Sequence, residues 1–224
     1  MPAVLSTKKL NESQKSLLLL AGASLVEYNA IKIEFVPFEA PSNIKNAIFT
    51  SQNAANSFFE NECQPERSRR VIENCFCVGN KTKLLLEEND QKVIKMTEYA
   101  SELADFIVKY HKNDSFHFFC GNIRSDEISS KLNENSIAFE EIEVYKTTLN
   151  PKKFERTFDA ILFFSPSGVR SFISENEIQK SIAVCIGNTT ASEAKKYTEN
   201  VVVANTTTVE SVIAKTLKTL KQND

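Results

Sequence analysis

Four short polar turns carry the side chains best placed for chemistry: Ser51-Gln52-Asn53, Asn80-Lys81-Thr82, Ser165-Pro166-Ser167 and Asn188-Thr189-Thr190. Each follows an apolar run and opens a stretch of helical periodicity. It therefore combines hydroxyl or amide side chains with the backbone N–H groups that a helix leaves unpaired at its start. Helix starts of this kind attract anions. Ser, Thr and Asn also serve there as plain caps, a reading that suffices for any single turn. Four such turns in a repeated arrangement point to one shared anionic ligand. A fifth candidate is Tyr145, in the alternating segment Glu141-Ile142-Glu143-Val144-Tyr145. A strand there presents its phenol either to a cleft as a proton donor or to a neighbouring strand as packing.

Several other chemistries lack their residues. The five glycines, Gly22, Gly79, Gly121, Gly168 and Gly187, allow neither G-x-G-x-x-G nor a Walker A loop, which removes nucleotide cofactors. His111 and His117 are the two histidines and have no nucleophile elbow or metal-like spacing with them, so neither a hydrolase triad nor a metal site is expected. His111 reads as a solvated cap at a helix end. The five cysteines, Cys63, Cys75, Cys77, Cys120 and Cys185, form an odd set with one C-x-C spacing and read as reduced, mostly buried thiols. Arg67, Arg69 and Arg70 are the one basic cluster and read as a solvated helix face rather than a carboxylate clamp.

These turns need elements to hold them, and 224 residues with 42% apolar and 25% charged side chains suffice for two modest domains. A net charge of -2 without a Lys/Arg stripe argues against a nucleic-acid partner. The longest apolar run, Leu17 to Ala21, is too short to span a bilayer and the N-terminus lacks a signal-peptide layout, so a cytoplasmic protein is expected. Short β-rich runs alternate with amphipathic stretches, the pattern of an α/β fold with parallel sheets. The expected strands are Ala3 to Ser6, Ala47 to Phe49, Phe76 to Val78, Val93 to Lys95, Phe116 to Cys120, Ala160 to Phe164, Ile182 to Ile186 and Val201 to Ala204.

The plan repeats. Ile48-Phe49-Thr50-Ser51 leading into Phe58 matches Leu162-Phe163-Phe164-Ser165 leading into Phe172, and Cys77-Val78-Gly79-Asn80-Lys81-Thr82 matches Cys185-Ile186-Gly187-Asn188-Thr189-Thr190. Phe118-Phe119-Cys120-Gly121-Asn122 with its helix resembles the opening Val4-Leu5-Ser6-Thr7 with the helix Glu12 to Ala21. The N-terminal unit therefore belongs with the later half. The expectation is two similar lobes, each a parallel sheet flanked by helices: residues 1–32 plus 149–224, and 38–141. Two linker strands, 33–37 and 142–148, join them.

Together these residues resemble the uroporphyrinogen-III synthase family. Ile161-Leu162-Phe163-Phe164-Ser165-Pro166-Ser167-Gly168-Val169 is similar to its apolar strand and S-P-S-A-V. Ala183 to Ala191 is similar to its I-G-P-T-T-A, Phe49-Thr50-Ser51-Gln52-Asn53-Ala54 to its F-T-S-x-N-A, and Thr208-Val209-Glu210 to its closing segment. Asn188 stands where the family usually has Pro, and Gly168 where it usually has Ala. The resemblance covers nearly the whole chain. It implies a monomeric lyase without metal or organic cofactor that cyclises hydroxymethylbilane, with loss of water and inversion of ring D, on the route to heme. It further implies Tyr145 as the phenol assisting hydroxyl departure, and Thr50, Ser51, Thr82, Ser165, Ser167, Thr189 and Thr190 as contacts to substrate carboxylates. The competing readings are a bilobal binding protein for an anionic metabolite and an inactive paralogue.

Overall fold

A computed structural model describes residues 1–39, 41–62 and 71–222. In chain order the strands are β1 (Ala3–Ser6), β2 (Ser24–Glu27), β3 (Ile31–Phe35), β4 (Asn43–Phe49), β5 (Val71–Val78), β6 (Val93–Thr97), β7 (Ser115–Gly121), β8 (Ala138–Leu149), β9 (Ala160–Phe163), β10 (Ile182–Cys185) and β11 (Val201–Val203). The helices are α1 (Glu12–Leu20), α2 (Gln52–Glu62), α3 (Asn80–Glu88), α4 (Ala100–Tyr110), α5 (Glu127–Glu134), α6 (Pro166–Ile173), α7 (Asn188–Ala194) and α8 (Val209–Gln222). The chain divides into two compact units: a first, Met1–Lys32 with Thr148–Asp224, and a second, Ile33–Thr147.

The first unit is a parallel sheet in the order β11-β10-β9-β1-β2. Its middle strands β9 and β10, Ala-Ile-Leu-Phe and Ile-Ala-Val-Cys, are buried at every position because helices cover both faces. On one face α8 lays down Val209, Val212, Ile213, Thr216 and Leu220, a helical stripe, against Val4, Leu162 and Val184. The other face holds Phe163, Phe172 and Ala191. Strand β2 was not among the expected strands. Its four residues Ser-Leu-Val-Glu are all half-buried at a sheet edge, and so short a run with polar ends gives no periodic signal.

The second unit has the order β3-β8-β7-β4-β5-β6. From β8 to β6 every pairing is parallel, and β3 at the edge makes the sheet mixed. The two segments expected to cross between halves are β3 and β8, which are neighbours; β8 is also bonded along β7, so they continue this sheet. The series β6-β5-β4-β7-β8 repeats β11-β10-β9-β1-β2, with chain order circularly permuted. The core on one face is aromatic: Phe119 stacks on Phe49 with centroids 5.1 Å apart and meets Phe58 edge-on at 4.9 Å.

Cys75, Cys77, Cys120 and Cys185 are free and buried, while Cys63 and the Arg67, Arg69, Arg70 cluster lie outside the described residues. Burial pushes Cys75 and Cys185 up to about 12 and Cys77 and Cys120 up to about 11, from an ordinary 9.0. Burial also raises Tyr28 from 10.0 to about 12. In the unfolded chain these groups ionise at their ordinary values, whereas in the fold they resist. Their contribution to stability is therefore complete below pH 9.0 and is lost as pH rises from there through the folded values. The urea midpoint is expected to fall steadily above that pH, and less steeply in Cys185→Ala. A midpoint that is flat across the window, or an unchanged slope in that variant, would show that these thiols do not set it. His111 caps α4 as expected but is packed rather than solvated: its Nδ1 lies 2.8 Å from Asp114 Oδ2 and its ring meets Phe76 edge-on.

Candidate active site

In both sheets the polar turns follow the carboxyl ends of central parallel strands, where helix starts face outward and ligands bind in open α/β sheets. In the first unit, β9 leads into Ser165, whose Oγ accepts the Gly168 N–H at 3.0 Å and caps α6, with Pro166 at the first helical position. Ser167, in the first turn, is buried, and its Oγ accepts from Arg170 at 3.3 Å. Arg170 also pairs with the buried Glu193, which Lys196 meets at 2.7 Å, so that carboxylate is shared by two cations. A methyl at Gly168 would approach Ser165 Oγ to 3.3 Å and Thr7 Oγ1 to 3.6 Å, a fit needing small adjustment only. Gly in place of the family's Ala thus alters little.

The start of α7 differs from expectation. Its cap is Gly187, with no side-chain bond, so Asn188 is the first helical residue rather than the cap. The same holds at α3, where Gly79, at φ +84, is the cap and Asn80 follows it. A positive φ suits Gly, which has no Cβ to clash, and Gly cannot cap with a side chain. Two of the four turns therefore leave their first-turn donors without the side-chain acceptor that capping supplies. Asn188 also brings a backbone N–H to a position where Pro has none. Beyond these caps Thr82 and Thr190 are buried and Thr189 is exposed.

The second unit brings Tyr145 to Ser51. The phenol oxygen lies 3.1 Å from Ser51 Oγ, which also accepts the Ala54 N–H at 3.2 Å and so starts α2; Thr50, half-buried, precedes it. The ring is in the aromatic core with Phe49, Phe58 and Phe119. Burial raises the phenol above its ordinary 10.0, against an opposing contribution from the Ser51 bond, so it is a neutral O–H donor at physiological pH. The ring of Tyr145 is thus packed in the core, and its hydroxyl is bonded to Ser51. Ser57 and Asn122, which hold the backbone around Tyr145, were not among the expected site residues. Asn122 was visible only as part of the repeated Cys-Gly-Asn run, and Ser57 as one polar residue on an amphipathic helix.

Two α/β units that share one five-strand parallel series, each offering hydroxyl and N–H donors at its strand ends, define the class: a permuted double-unit α/β protein. A family model described as uroporphyrinogen-III synthase HemD matches residues 13–214, and the chain belongs to that family. It is 29% identical to the porphyrin biosynthesis protein HemD of Ruminiclostridium josui over 225 residues, covering 88% of this chain and 44% of that protein. The chain therefore spans less than half the length of that relative. Uroporphyrinogen-III synthetase from Helicobacter pylori matches with a TM-score of 0.69 at 17% identity, covering 98% of this chain and all of that one. A mutant uroporphyrinogen III synthase from Thermus thermophilus matches with a TM-score of 0.71 at 12% identity, covering 99% and 100%. At these identities the structures establish the shared fold.

Proposed function

We propose that the chain is a uroporphyrinogen-III synthase that cyclises hydroxymethylbilane to uroporphyrinogen III. The terminal hydroxyl leaves as water, and the macrocycle then closes through a spiro intermediate that inverts ring D. The observation that carries this reading is the buried, neutral Tyr145 phenol, one hydrogen bond from the strand-end Ser51, in a chain of this family. A protonated phenol can donate to the departing hydroxyl. The proposed donors to substrate carboxylates are those around Thr50, Ser51 and Thr82, and those around Ser165, Ser167, Thr189 and Thr190. Amides and hydroxyls at helix starts hold such anions without strong net positive charge.

Left to itself the linear substrate closes without inversion to the type I isomer. The chain's task is therefore to hold a flexible molecule in one reactive conformer, an effect worth several kcal/mol. Supplying freshly generated hydroxymethylbilane, oxidising the products and separating the uroporphyrin isomers tests the reading. Mostly type III is expected; type I alone at the rate without protein would leave an anion-binding α/β protein. The reading includes a cytoplasmic monomer with no nucleic-acid partner and no metal or organic cofactor, and gel filtration checks the oligomeric state. Among the described residues no helix is long and apolar enough to cross a membrane.

A further inference from the structure

We propose that Asn122 and Gly121 are positioning residues for Tyr145, turning its phenol to the inner face of the sheet through a bulge in β8; this rests on the reading of Tyr145 as the proton donor. Residues two apart on a regular strand share a face, so Tyr145 should point with Glu141 and Glu143. Glu141 does face α5, and its carboxylate is bonded by Ser129 of that helix and by Arg124 just before it. Tyr145 instead lies in the core with Phe58 of α2, on the face of Ile142 and Val144. The register explains the reversal. Cys120 pairs with Glu143 but Gly121 pairs with Tyr145, so two residues of β8 pass one step of β7. A bulge of this kind re-aims every side chain beyond it.

Specific groups hold the bulge in place. The carbonyl of its extra residue, Val144, accepts from Ser57 Oγ and from the Val36 N–H. Beyond it, the Asn122 N–H donates to the Tyr145 carbonyl at 3.3 Å. The Asn122 side chain then acts as a peptide group would: Oδ1 accepts the Thr147 N–H at 2.7 Å, and Nδ2 donates to the Thr147 carbonyl at 3.3 Å. Asn122 is itself exposed while Thr147 is buried, and these part-buried bonds fix the backbone on both sides of Lys146. Gly121 supplies the space. A Cβ there would come within 2.5 Å of Tyr145 Cζ and 2.9 Å of its hydroxyl oxygen, so only Gly lets the ring lie where it does.

The test uses the full chain with hydroxymethylbilane, measuring kcat and KM for Asn122→Ala, Tyr145→Phe and the double variant. Tyrosine-labelled NMR runs alongside, the Tyr145 ring signal being assigned by its loss in Tyr145→Phe. Asn122→Ala is expected to lower kcat about tenfold with KM changed less than about twofold, and to move the Tyr145 signal. In the Tyr145→Phe background the same change should cost less than about twofold, because the group it positions is gone. Asn122→Asp keeps the acceptor for the Thr147 N–H and should retain most of the rate. The proposal is overturned by an unmoved ring signal, by a rise in KM in place of the loss in kcat, or by equal losses in both backgrounds. Should Tyr145→Phe turn over at full rate, the proton-donor reading falls, and the ring signal alone decides whether Asn122 positions the phenol.

Discussion

Tyr145→Phe is expected to lower the rate of uroporphyrinogen III formation about 10²- to 10⁴-fold, the usual contribution of a positioned general acid. The change removes one hydroxyl and keeps the ring in its aromatic surroundings. Ser51 Oγ retains the Ala54 N–H as its partner, so α2 still starts at the same residue. The structural loss is one hydrogen bond, worth about 0.5 to 1.5 kcal/mol. A large fall in rate with a nearly unchanged melting temperature separates chemistry from folding, and full turnover in a folded variant would end the acid role. The pH profile supplies a second check. Burial raises the phenol above 10.0, so Tyr145 stays protonated throughout the neutral range, and any alkaline loss of rate due to it should appear only above that value.

Phe119→Ala is expected to cost about 3 to 5 kcal/mol of stability, the range for emptying a fully buried aromatic site. Phe119 is 0% exposed and its ring contacts Phe49, Phe58 and Phe38, the last at 6.0 Å between centroids. These rings come from β4, α2 and the segment after β3, so the cavity would open at the junction of several elements. Against a net stability of about 5 to 15 kcal/mol, this is enough to leave the second unit marginal. Urea unfolding gives the number, with Phe119→Leu expected to lose less. A loss below about 1 kcal/mol would mean that the surrounding rings collapse into the space.

The same parts of the chain show what could be read beforehand and what could not. Apolar runs such as Ala160 to Phe163 and Ile182 to Cys185 announced themselves because strands buried on both faces need apolar side chains throughout. The edge strand β2 gave no such signal, since half-burial permits Ser and Glu at its ends. Ser51 and Ser165 cap α2 and α6 as their spacing foretold, whereas the caps of α3 and α7 moved back one residue onto glycine. Tyr145 was recognisable as a candidate by residue type and segment. Its orientation was hidden, because the alternation of Glu141 to Tyr145 places the phenol on the glutamate face. Only the pairing with β7 reveals the extra residue that reverses it. Local pattern cannot report a register shift that is set by a partner strand elsewhere in the chain.

The permuted order of the first unit also bears on how the protein is made. Strand β1 sits between β2 and β9, and its partner across Val4 is Ala160, far downstream. During translation β1, α1 and β2 leave the ribosome as a fragment without most of its sheet, and they must wait while the whole of Ile33–Thr147 is synthesised. That inserted segment has all its own strands in one stretch and can fold as they emerge. Maturation should therefore run from the middle of the chain outward, with the N-terminal fragment exposing the apolar faces of Val4, Leu5 and Leu18 to chaperones until β9 arrives.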